Sequence, residues 1–158
     1  MAERKYIAEL RHSSPSYEED YAAWLDTQIA LMRADRWADV DKANLLDEVE
    51  SLGRSDFKSF VSAIRIVLIH MLKWDYQPER RTRSWQASIV VHRKHVEDEL
   101  TDSPSYKARI TEAIKRAYST ARAGASGETD LPMSTFPEEC PYDWDAIMTR
   151  EHPLDEDN

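Results

Sequence analysis

Glycine and cysteine are nearly missing from this chain, with three of the first and one of the second in 158 residues. So few glycines leave little material for the tight turns of a β-rich protein. The supply of Ala, Leu, Glu, Arg and Asp favours helices instead. A single thiol, Cys140, excludes an internal disulfide and suits a reducing, cytoplasmic setting. Long apolar runs are missing too. The most apolar stretch, Ile66 to Leu72, is seven residues long, whereas a membrane span needs about 20. Residues 1–10 carry charges without an apolar run, so they do not read as a secretory signal. No Gly-rich phosphate loop and no nucleophile elbow occur, and no Glu-x-x-His or His-x-x-x-His pair falls on an expected helix.

What is present fits one all-α domain. The length is that of a single domain, and 41% apolar residues suffice for a core without staples. The net charge of −9 is unevenly spread: Glu128 to Asn158 holds ten acidic residues against one base, Arg150, so residues 1–127 are neutral overall. Within that neutral part, 14–50 is acidic and 73–94 basic, a pattern that suits pairing between the two patches or self-association.

The apolar spacing sets the expected elements. Residues 1–13 lack periodicity and read as a loose arm. A helix is expected from Ser14-Pro15-Ser16, with Ser16 and Glu19 as a capping box and Tyr17, Tyr21, Trp24, Leu25, Gln28, Ile29 and Met32 on one face. After a connection at 35–40, Asp39 or Asp41 caps the next helix. Its frame Leu45, Val49, Gly53, Phe57, Phe60, Ile64, Val67, Met71, Trp74 holds phase for about seven turns at helical spacing. This predicts one long central helix over 41–74, with Gly53 inward where another helix approaches closely. A break at Gly53–Ser55 is the alternative. Pro78 interrupts the chain, a helix follows over 84–100, and another runs from Ser103-Pro104-Ser105 to about Ala123, with Gly124 and Gly127 as stops. Residues 131–141 carry three prolines and are expected extended. Asp143 then caps a short C-terminal helix, Trp144–Thr149. The expected architecture is an up-down helical bundle over 14–150, followed by a disordered acidic tail over 151–158.

The motifs resemble those of the bacterial family known as domain of unknown function 29. The matching pieces are Tyr21-Ala22-Ala23-Trp24-Leu25, Glu50-Ser51-Leu52-Gly53-Arg54 and His70-Met71-Leu72-Lys73-Trp74. Gln77-Pro78-Glu79-Arg80-Arg81, Arg83-Ser84-Trp85 and residues 136–142 continue the order, so the likeness covers roughly 16–148. It implies an all-α fold and carries no activity, substrate or catalytic residue. The family looks more continuously helical than this chain at residues 123–127.

Chemistry concentrates in one stretch. Between two expected helices, Lys73, Trp74, Tyr76, Arg80, Arg81, Arg83 and Trp85 place four cations among three aromatics. Guanidinium groups pair bidentately with phosphate or carboxylate, and aromatic faces stack on bases or on arginine. The same groups also close the end of a bundle, with the tryptophans capping the core. The overall charge of −9 is poor for binding duplex nucleic acid. His70 and His92 would be neighbours on antiparallel helices, but three or four ligands are needed for a metal, so neither a metal site nor a cofactor is expected. Asp47, Glu48 and Glu50 fall mostly on polar faces, and Cys140 sits among acids that raise a thiol pKa. These features point away from an enzyme and toward a binding or regulatory module, with an unidentified protein partner or self-association through 73–85. Single-stranded nucleic-acid binding at the same connection is one alternative. A hydrolase or metal-dependent enzyme in a bundle cleft, built on His70 and His92, is the other.

Overall fold

The computed structural model describes residues 16–154, so the arm expected over 1–13 and the last four residues lie outside the described part. The described chain is all-α. Helices α1 (Tyr21–Arg33), α2 (Lys42–Tyr76), α3 (Arg83–Asp102), α4 (Ile110–Thr129) and α5 (Trp144–Thr149) follow in order. Short 3₁₀ turns at Pro78–Arg80, Pro104–Arg109 and Met133–Thr135 join some of them. The chain divides after Gly53 into two compact units.

The first unit is built on α1. Ser16 and Glu19 do form a local turn, with the Ser16 amide donating to Glu19 Oε2 at 2.9 Å, but the helix starts later, at Tyr21. Asp20 provides its cap, accepting from the Ala23 amide at 3.0 Å. The helix ends where Asp35 turns left-handed (φ 56°), and the Asp35 and Arg36 amides close on the carbonyls of Met32 and Leu31. Trp24 and Gln28, both buried, fasten α1 to the start of α2. Trp24 Nε1 donates to Asp41 Oδ2 at 3.2 Å, and Gln28 Oε1 accepts the Asp41 amide at 2.8 Å.

Helix α2 runs unbroken through Gly53 for 35 residues. Two expectations fail within it. Val49, predicted inward, is 58% exposed, as Leu46 is too, and a Cβ at Gly53 would meet nothing within 4 Å. A periodic stripe fixes which side chains share a face, but burial also needs an element laid against that face.

The second unit holds the larger core. Phe60, Ile64, Val67, Leu68, Met71 and Leu72 of α2 pack with Ile89 and Val96 of α3, Ala113, Ala117, Ala121 and Ala125 of α4, and Phe136 and Ile147 beyond. The alanine stripe of α4 lets it lie close to α2. Gly124 continues that stripe, because a Cβ there would come within 2.8 Å of Ile69 Cδ1. Gly124 thus serves close packing rather than a helix stop, and the helix does not stop at Gly127 either, where a Cβ would meet nothing within 4 Å. It continues to Thr129 and is ended by Asp130 in the left-handed region (φ 59°). Asp143 caps α5, accepting from the Ala146 amide at 2.8 Å.

The disordered tail expected from residue 151 starts too early. His152 is 5% exposed, lies edge-on to Trp74 with ring centroids 5.4 Å apart, and its carbonyl accepts from Gln86 Nε2 at 2.9 Å. Contacts to two helices hold this stretch in place despite its acidic composition.

Candidate functional site

The basic-aromatic connection of the second unit splits into two sets. Lys73 and Trp74 close the buried end of α2 and are themselves buried. Lys73 Nζ binds Glu128 Oε2 at 2.6 Å and sits 4.4 Å above the ring of Trp85. Arg81 folds back over Trp74, donating from Nε to the Trp74 carbonyl at 2.9 Å, with its guanidinium 5.2 Å from the ring centre. That carbonyl is among the last of α2, where a cation also meets the negative end of the helix dipole. Tyr76 packs edge-on against Phe136, and buried Gln77 donates to the Thr129 carbonyl at 3.2 Å. Thr82 caps α3 by accepting the Trp85 amide.

Arg80 and Arg83 are different. Both are exposed, and their side chains make no ion pair or hydrogen bond among the described residues. Five of the seven candidate residues are therefore engaged within the fold, and two cations are left facing solvent.

Asp75 anchors the inner side of this region. Arg150 grips it with two bonds, at 2.9 and 2.5 Å, and the Tyr142 hydroxyl donates to it at 2.7 Å. Burial works to raise the Asp75 pKa, but the bonds from Arg150 and Tyr142 outweigh it and hold the carboxyl below its usual range. Burial and then the bond to Asp75 push the Tyr142 hydroxyl strongly upward. Sequence inspection alone missed this triad, since its members lie 67 and 75 residues apart.

His92 and His95 lie edge-on with ring centroids 5.4 Å apart, and the charge of His92 bears on His70. His70 and His92 each pair Nδ1 with a carbonyl of their own helix, Ile66 and Ser88, at 2.9 Å. Burial, chiefly, lowers the His70 pKa. A cleft of about 320 Å³ is lined by His92, His95, Asp98, Glu99 and Asp102, but His70 is not part of its wall. Among the described residues, no group of three or more His, Cys, Asp or Glu side chains is placed to hold a metal. Cys140 is half-buried with its Sγ 3.4 Å from the Tyr142 carbonyl, and burial raises its pKa despite that bond. In the first unit, Glu48 accepts the hydroxyls of Tyr17 and Tyr21 at 2.5 and 3.1 Å, which raises both phenol pKa values.

Residues 16–152 match the model of the family described as Domain of unknown function DUF29, and the chain belongs to that family. No curated protein and no solved structure matches it. Among the described residues, no helix is long and apolar enough to cross a membrane.

Proposed function

We propose that this member of the family is a helical binding or regulatory module that meets an acidic protein partner, with Arg80 and Arg83 as contact residues. Lys73, Trp74, Tyr76, Arg81 and Trp85 form the frame that holds them. The observation that carries this reading is the exposure of two arginines without an ion pair in a region where every other cation and aromatic is engaged. A guanidinium on a short, pinned connection keeps its fork free for a carboxylate at a small entropic cost. Nucleic acid is a poorer partner, since two exposed arginines neutralise few phosphates and a net charge of −9, which opposes any anionic partner, opposes a long polyphosphate most. We take the module to act in the cytoplasm, where the lone thiol Cys140 stays reduced.

Fluorescence anisotropy with a labelled oligoglutamate peptide tests this. Binding should weaken with added salt, and Arg80→Ala with Arg83→Ala should weaken it about tenfold or more, as loss of charge-assisted hydrogen bonds implies. No binding, or equal binding by the double variant, would contradict the reading. Preference for a single-stranded oligonucleotide of the same length would replace it with nucleic-acid recognition.

A further inference from the structure

A second site lies along α3, apart from Arg80 and Arg83 and independent of their role. A cleft of about 370 Å³ opens between α3 and residues 149–153 of the C-terminal stretch. Gln86, Ile89, Val90, Arg93, Arg150 and His152 give it its character. Three of its features bear on what it could hold.

The first is Arg93. It is half-buried and donates from Nε to the Ile147 carbonyl at 2.6 Å and from Nη2 to the Ala146 carbonyl at 3.2 Å. Both acceptors are neutral, and among the described residues no carboxylate stands within ion-pair distance of it. Burial and then the nearby Arg150 push its pKa down, so its surroundings disfavour the positive charge. A partly desolvated cation without a counter-charge is a position that an anion relieves.

The second feature is His152, whose Nε2 is buried and has no hydrogen-bond partner. A buried polar atom left this way costs about 1–3 kcal/mol. Burial, followed by Arg93 and Arg150, pushes this imidazole down to about 4, so the ring is neutral near pH 7 and can donate or accept there. The Gln86 bond to its carbonyl fixes where the residue stands.

The third is the apolar wall beside these groups. Ile89 is buried, and Val90, 60% exposed, stands in the lining with Pro153. One charge opposes an anion here: Glu151 also lines the cleft, but it is exposed and therefore screened by solvent. Asp75 already answers Arg150, which leaves Arg93 as the unanswered charge of the interior.

We propose that this cleft binds a small organic oxyanion, a carboxylate or phosphate carried on a short apolar body. The head group meets Arg93 beside the ring of His152, and the body lies against Ile89, Val90 and Pro153. The cleft of this chain is then a site for a small acid, separate from Arg80 and Arg83.

Nuclear magnetic resonance of the histidine rings in the full chain tests the proposal, with butyrate, butyl phosphate and inorganic phosphate as probes and chloride as the ionic-strength control. Butyrate or butyl phosphate should shift the His152 ring signals saturably, chloride should not, and the stronger of the two identifies the head group. The rings of His92 and His95 should stay unmoved. Arg93 and His152 also hold the C-terminal stretch, so the informative substitution is at exposed Val90. Val90→Glu puts a carboxylate in the cleft lining and should weaken binding about tenfold or more, whereas Val90→Lys should keep or strengthen it. No saturable shift with any probe, a response to inorganic phosphate alone, or equal binding by Val90→Glu would overturn the proposal.

Discussion

Lys73 and Arg83 lie ten positions apart in the same basic stretch, yet one is buried against Glu128 and Trp85 while the other faces solvent without a partner. The same contrast separates Arg81, wrapped over Trp74, from its neighbour Arg80. Local composition treats these four cations alike. What distinguishes them is where the end of α2 stops and which groups from distant parts of the chain arrive beside it. A run of basic and aromatic residues is therefore not one surface. Here part of it serves as a clasp and part is left available.

The comparison can be broken first at the clasp. Trp74→Ala should cost about 3–5 kcal/mol in urea unfolding, since it empties a buried site that Arg81 and His152 both lean on. Glu128→Gln comes next. It leaves the buried Lys73 ammonium facing a neutral group and should cost about 1–3 kcal/mol. Adding Lys73→Met should recover much of that loss, because the methionine fills the buried space of the lysine chain without a charge that needs an answer. If the double variant is instead less stable than Glu128→Gln alone, the buried charge is not what the clasp has to compensate.

Acid should loosen the same region. His152 is held neutral down to about pH 4 in the fold, whereas an unfolded imidazole takes its proton near 6.5. The unfolded chain therefore binds more protons between those values, and stability falls as pH drops from about 6.5 to about 4, by of order 1–3 kcal/mol. The carboxyl of Asp75, also held low, adds a further loss at still lower pH. His152→Gln should flatten the upper part of this profile, and an unchanged slope would show that the imidazole is not buried as described. The smallest effect is expected on the exposed side: Arg80→Ala with Arg83→Ala should change stability by no more than about 0.5 kcal/mol.

Much of the fold was legible because it rests on local signals. The seven-turn frame marked α2, Asp143 marked α5, and Pro78 marked the turn between α2 and α3. Three of the misreadings turn on what does or does not arrive from far away in sequence. Gly124 read as a stop because nothing local says that Ile69 lies against it. Val49 read as core because its stripe continues that of Phe57 and Phe60, though Val49 itself is 58% exposed. His152 sits in an acidic stretch with prolines, and only Trp74 and Gln86 reveal it as an interior residue. The stretch 73–85 was legible as one where cations and aromatics gather along the chain. Its division into engaged and exposed residues was not legible, because Glu128 lies 55 positions from Lys73.

The most direct measurement is modification of arginines by phenylglyoxal in the folded chain, followed residue by residue by mass spectrometry. Arg80 and Arg83 should react first and at similar rates. Arg81, bonded to the Trp74 carbonyl, and Arg93, bonded to those of Ile147 and Ala146, should lag well behind. Reaction of Arg81 as fast as Arg80 would contradict the division of the connection on which the account rests.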